Sequence, residues 1–235
     1  MPIPLREGGY PHQELLAETD WLAGRLSDPM VRVVDARSDE AYASGHIPGA
    51  VQLDGCTLGG LRTGSEMPDP EAFAHLVGAL GIDKHTRVVV YDAGGPPTAG
   101  IIVWAFLYYG HPDTCLLDGG LTKWTAEGLS LSTEGPVHEP RAFDARLEEG
   151  VYCSLNQAKA SVNDDDVWDV RSLGEFDGTK NRWNPPPRLG HLPGAVHLEW
   201  AELFDSDTGT LKPADKLNAL LGAKGITPQA TVVSY

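Results

Sequence analysis

The chain has 235 residues, 41% of them hydrophobic, and its 33 Asp and Glu outweigh 18 Lys and Arg to give a formal net charge of −15. An acidic surface of that size argues against nucleic acid and anionic membrane as partners, since both repel it. No apolar run approaches the roughly 18 residues of a membrane span, and Met1-Pro2-Ile3-Pro4-Leu5 lacks the basic and apolar regions of an export signal, which leaves a soluble, cytoplasmic protein as the expectation.

In chain order, residues 15–26 read as a short strand and then a helix, with Thr19 as N-cap and Asp28-Pro29 as the stop. The β-branched run Val31 to Val34 reads as a buried strand ending at Asp35, and Ser38-Asp39-Glu40 opens a one-turn helix. Pro48-Gly49 forces a loop before the short strand Val51 to Leu53, and the glycines and prolines from Gly55 to Pro70 allow only irregular chain. Apolar residues at helical spacing (Phe73, Leu76, Val77, Leu80) follow, and then Arg87 to Tyr91, the strongest strand signal in the protein. Next come a small-residue loop, Asp92-Ala93-Gly94-Gly95-Pro96-Pro97, and a thoroughly apolar helix from Thr98 to Tyr109. Such a loop turns backbone amides inward at a helix N-terminus and makes an anion cradle. Thr114 to Leu117 is another strand, followed by a turn at Asp118-Gly119-Gly120 and a short helix carrying Trp124. Strands alternating with helices predict an α/β domain with a largely parallel, doubly covered sheet.

Residues 131–150 lack periodicity and suit a linker, after which Cys153 starts a strand and Ser154 caps a helix. From here the pattern repeats. Gly45-His46-Ile47-Pro48-Gly49-Ala50-Val51-Gln52-Leu53 returns as Gly190-His191-Leu192-Pro193-Gly194-Ala195-Val196-His197-Leu198, with seven of nine positions identical. Asp35-Ala36-Arg37-Ser38 returns as Asp169-Val170-Arg171-Ser172, and Val88-Val89-Val90-Tyr91 as Val232-Val233-Ser234-Tyr235. The chain is a duplication. The copies differ between Arg171 and Gly190, where 11 residues are inserted. From Arg171 to His197, four basic residues (Arg171, Lys180, Arg182, Arg188) against two acidic ones (Glu175, Asp177) make a local +2. That segment is the candidate for binding an anion, with a solvated loop as the bland alternative.

Four motifs in order, Asp35-Ala36-Arg37, Gly45 to Ala50, Tyr91 to Gly95 and Asp118-Gly119-Gly120-Leu121-Thr122-Lys123-Trp124, together with the second set, make the chain resemble the tandem-rhodanese sulfurtransferases. The resemblance implies two rhodanese-like α/β domains, 1–130 and 151–235, joined by a linker at 131–150, each a mainly parallel sheet with helices on both faces. It also implies that the second domain is truncated in this stretch. Its nucleophilic cysteine is expected immediately after Tyr235, with the loop and buried helix behind it. In the first copy Asp92 takes the nucleophile's place as an inert carboxylate.

The activity implied is transfer of sulfane sulfur from a small anionic donor, thiosulfate or 3-mercaptopyruvate, to cyanide or a thiol such as that of thioredoxin, through a cysteine persulfide and without cofactor or metal. The alternatives are a non-catalytic rhodanese module that binds a partner or anion, and a phosphatase-like use of the same fold. A cysteine among inward amides has a lowered pKa and attacks as thiolate. Arg182, Arg188 and Asp54 are the substrate-binding candidates, because a guanidinium holds a sulfonate or carboxylate by two hydrogen bonds. Asp169 and Arg171 are read as loop support, and His46 and His191, shared by both copies, as structural. Glu175 and Glu66 stand where mercaptopyruvate-acting relatives carry a basic residue, which tilts the donor toward thiosulfate. Cys56, Cys115 and Cys153 are odd in number and form no CxxC pair, so a reducing compartment is favoured and none fits the nucleophile.

Overall fold

A computed structural model describes residues 9–58, 68–95, 97–161, 166–180 and 188–235. The chain divides into two compact units, one formed by residues 1–151 with 206–211 and the other by 152–205 with 212–235.

The first unit holds a five-stranded sheet of β1 (Leu16–Ala17), β2 (Val31–Asp35), β3 (Val51–Gln52), β4 (Arg87–Tyr91) and β5 (Thr114–Leu117), all parallel, in the order β1-β5-β4-β2-β3. In β4 the residues Val88, Val89, Val90 and Tyr91 are all fully buried. An unbroken apolar run is what a parallel strand covered on both faces requires. Alternate side chains feed two cores. Val88 and Val90 join Phe73 and Val77 of the helix Pro70–Ala79 and Ile102, Ala105 and Phe106 of the helix Pro97–Tyr108. Val89 and Tyr91 join Trp21, Ile47 and Trp124 on the other face.

The N-terminal helix runs Thr19–Ala23, with Glu18 rather than Thr19 at its N-cap. The Thr19 hydroxyl instead donates to the Glu127 carboxylate, a partner 108 residues away that local sequence cannot show.

Residues 131–150, expected as a linker, belong to the first unit and lie along it. Ser132 and His46 exchange backbone hydrogen bonds at 2.8 and 2.9 Å, the Arg141 amide donates to Gly78 O, and the Arg146 amide donates to Tyr109 O. Phe143 packs edge-on against Phe73 and Phe106. The approach at Gly78 is close enough that a Cβ there would lie 2.4 Å from Arg141 O. Only glycine leaves room for the strap.

The second unit holds β6 (Asp166–Asp169), β7 (Val196–His197) and β8 (Val232–Ser234), parallel and in the order β7-β6-β8. These strands reproduce the places of β2, β3 and β4. The helices of this unit include Leu155–Ser161 and Ala214–Ala223. Cys153, read as the start of a strand, lies in irregular chain before the first of these, and its Sγ is 3.7 Å from Ser154 O. Among the described residues no helix is long and apolar enough to cross a membrane.

Candidate functional site

Parallel α/β sheets bind their ligands beyond the carboxyl ends of the strands. In the first unit that edge begins with Asp35, the last residue of β2 and fully buried. Burying a carboxylate is costly unless donors surround it. Arg37 supplies them: its Nε and Nη2 reach Asp35 at 2.9 and 2.6 Å, and Nη2 also donates to Gly45 O at 2.7 Å. The ion pair therefore holds the Gly-His phrase. Tyr91, opposite Asp35 in the sheet, donates its hydroxyl to Asp35 Oδ2 at 2.6 Å and accepts the Ile47 amide at 3.0 Å. Burial, and after it the neighbouring Asp35, pushes the phenol's pKa far up, so it stays a neutral donor.

The second unit repeats this network. Arg171 Nε and Nη2 reach Asp169 at 3.0 and 2.6 Å, and Nη2 donates to Gly190 O at 2.9 Å. Tyr235 accepts the Leu192 amide at 2.9 Å and interacts with the Asp169 carboxylate. Burial raises the Asp169 carboxyl, but the bonds from Arg171 and Tyr235 outweigh it and hold the group below its ordinary range.

Beyond Tyr91 comes the small-residue loop. Asp92 Oδ1 accepts the Gly94 amide at 3.0 Å and Oδ2 accepts the Ala99 amide, in the first turn of the helix Pro97–Tyr108, at 2.9 Å. Burial pushes Asp92 up to about 6 in spite of these two bonds. The turn at Gly120 closes on the same loop, where a Cβ would lie 2.7 Å from Asp92 O. Residues 206–211 complete this corner of the first unit. The Leu211 amide donates to the buried Asp118 at 2.7 Å, and a Cβ on Gly209 would sit 3.1 Å from the Gly94 carbonyl carbon. The cradle is thus occupied by the protein's own carboxylate and covered by its own backbone.

The other sequence candidates are divided between the units. Asp54 is half-buried just after β3, and Arg188 is exposed in the second unit. Arg182 and Glu66 lie outside the described residues. Glu175 closes a capping box with Ser172 on the helix Leu173–Phe176. His46 is buried and bonded to the carbonyls of Tyr42 and Glu134, and His191 stacks on Phe176 at 3.8 Å. Cys115 is buried in β5 with its thiol pushed up to about 12 by burial, which keeps it from forming a thiolate. Among the described residues no cluster of three His, Cys, Asp or Glu has the arrangement to hold a metal ion. Sequence reading gave Tyr91 and Tyr235 no role. Their recurrence at the end of both Val-rich strands was the available signal.

The Rhodanese-like domain family matches residues 18–127. The sulfur carrier protein TtuD of Thermus thermophilus is 35% identical over 97% of this chain and 84% of its own length. This chain belongs to the rhodanese-like sulfurtransferase family. Another relative, the thiosulfate sulfurtransferase of Corynebacterium glutamicum, is 32% identical over 93% of this chain and 76% of its own length. Among solved structures, the 3-mercaptopyruvate sulfotransferase SseA of Escherichia coli matches with a TM-score of 0.80 at 26% identity, covering 94% of this rhodanese-like chain and 87% of the other. The two parallel sheets are those of a tandem rhodanese fold.

Proposed function

We propose that the protein moves sulfane sulfur from thiosulfate, or from 3-mercaptopyruvate, to cyanide or a thiol, with a cysteine directly after Tyr235 as carrier. The observation that carries this reading is the repeated Asp-Arg-Tyr network. In the first unit it presents the residue after the tyrosine, Asp92, to the amides of Gly94 and Ala99. The second unit has the same network around Asp169, Arg171 and Tyr235. Amides and a helix N-terminus favour the thiolate of a cysteine delivered to such a cradle, against the burial that raises Asp92 in the first unit.

The thiolate attacks the outer sulfur of thiosulfate, a sulfur–sulfur bond forms to the cysteine, and the donor's sulfur–sulfur bond breaks with sulfite as leaving group. Cyanide or an acceptor thiolate, such as that of thioredoxin, then takes the outer sulfur and restores the cysteine thiolate. Arg182 and Arg188, in the inserted basic segment, pair with the donor's negative charge, with Asp54 as a further contact. No cofactor or metal takes part, and the odd cysteine count fits a reducing cytoplasm. The first unit is a non-catalytic module, because a carboxylate cannot accept sulfane sulfur.

The test is steady-state thiocyanate production by the full-length protein with each donor. Turnover with thiosulfate supports the reading, and faster turnover with mercaptopyruvate reassigns the donor. Absence of turnover with either donor refutes it.

A further inference from the structure

We infer that Tyr235 is a positioning residue for sulfur transfer, its hydroxyl latching the Gly190-His191-Leu192 loop to the tip of β8 and so aiming the residue that follows. This rests on the function proposed above.

The backbone of Tyr235 is tied to β6 by its amide, which donates to Trp168 O, and by its carbonyl, which accepts from the Val170 amide, both at 3.1 Å. Its side chain is held on three sides. The hydroxyl accepts the Leu192 amide at 2.9 Å and interacts with the Asp169 carboxylate, and the Arg171 guanidinium lies 5.0 Å over the ring. Arg171 in turn holds Gly190 O at 2.9 Å, so the loop is tied to the strand tip at two points.

The first unit shows what this arrangement does. Tyr91 makes the matching bonds to Ile47 and Asp35, with Arg37 5.9 Å over its ring, and its carbonyl accepts the Ala36 amide at 2.8 Å. The residue immediately beyond it, Asp92, reaches the amides of Gly94 and Ala99. The latch and the delivered side chain occur together. Around the two phenols the neighbours differ, Ile47 against Leu192 and Val90 against Ser234, while the hydroxyl and its two partners recur. A ring needed only for packing requires no hydroxyl, and phenylalanine would fill the space. The hydroxyl ties the loop amide to the strand tip.

The experiment is Tyr235→Phe in the full-length protein, with three readouts: sulfur loading from thiosulfate against pH, KM against kcat, and amide exchange at Leu192. The account expects a folded protein with an unprotected Leu192 amide. Loading is slowed by about tenfold near neutral pH, as for a reacting group slightly misplaced. The acid limb of the profile moves to higher pH, because the thiol leaves its cradle, and the thiosulfate KM is unchanged. Replacing Tyr235 by 3-fluorotyrosine keeps the hydroxyl and restores the wild-type profile. Tyr91→Phe gauges the cost of the same deletion to the fold and exposes the Ile47 amide. If Tyr235→Phe loses Leu192 protection yet keeps the wild-type rate and profile, the positioning role is overturned. If the unaltered protein loads no sulfur, the proposed function fails and this role falls with it.

Discussion

Nε2 of His138 lies 2.7 Å from Nη1 of Arg32, a residue only 5% exposed whose Nη2 donates to Gly81 O at 3.3 Å. A neutral imidazole is the acceptor that this geometry requires. Burial lowers the pKa of His138, and the cations Arg32 and Arg141 lower it further against a hydrogen bond to Gly49.

The first prediction follows from that pair. A histidine whose folded pKa is depressed contributes stability above its ordinary pKa of about 6.5, and loses it as pH falls through that value toward the folded one. Thermal melts from pH 7 to about 5 are expected to show a fall in Tm that His138→Gln makes shallower. Equal slopes for the two proteins would remove His138 from the account of how residues 131–151 are held.

A second prediction concerns the close approach at Gly78. Within a helix, Gly→Ala ordinarily stabilises by about 1 kcal/mol. Here the new Cβ meets Arg141 O at 2.4 Å. Gly78→Ala is expected to destabilise by about 2 kcal/mol in urea unfolding, since the clash is with backbone and the strap must lift.

Asp92 titrates in the opposite sense to an ion-paired carboxylate. Its pKa is raised to about 6, so the folded state keeps its proton after the unfolded state has lost it. Stability contributed here falls as pH rises from about 4 to 6, by roughly 2 to 3 kcal/mol at most. Asp92→Asn removes the titration, and the stability difference between wild type and variant is expected to shrink by that amount across the window. Guanidinium unfolding at several pH values reads it directly.

The two arginine forks give a fourth comparison. Lysine keeps the charge of Arg37 or Arg171 but cannot bond both carboxylate oxygens and the loop carbonyl together. The Arg37 side chain is 13% exposed and that of Arg171 33%. Arg37→Lys is expected to cost about 2 kcal/mol, and Arg171→Lys about 1 kcal/mol after solvent screening, in denaturant melts.

Much of this fold was legible because its strands are unmixed. Val31 to Val34, interrupted only by Arg32, and Val88 to Val90 are β-branched runs that no helix pattern competes with, and the repeated phrase announced the second sheet. The strap was not legible. It is held by backbone bonds to Gly78 and Tyr109 and by closeness to glycines, and neither leaves a periodic side-chain signal. Val151-Tyr152-Cys153 is β-prone in composition, yet Cys153 lies in irregular chain. At the site, Asp169 and Arg171 read as loop support, and the structure adds the same pair at Asp35 and Arg37 and the carbonyls of Gly45 and Gly190 that each fork also holds. The tyrosines escaped notice because an aromatic at a strand end ordinarily reads as core.

The central claim is that the second copy of the strand tip serves a sulfur-carrying thiol. Intact mass spectrometry of the full-length protein, after thiosulfate and then after cyanide, tests it most directly. The account predicts a gain of one sulfur atom on a single cysteine directly after Tyr235, removed by cyanide. A mass unchanged by thiosulfate, or a sulfur carried on Cys56, Cys115 or Cys153, would contradict it.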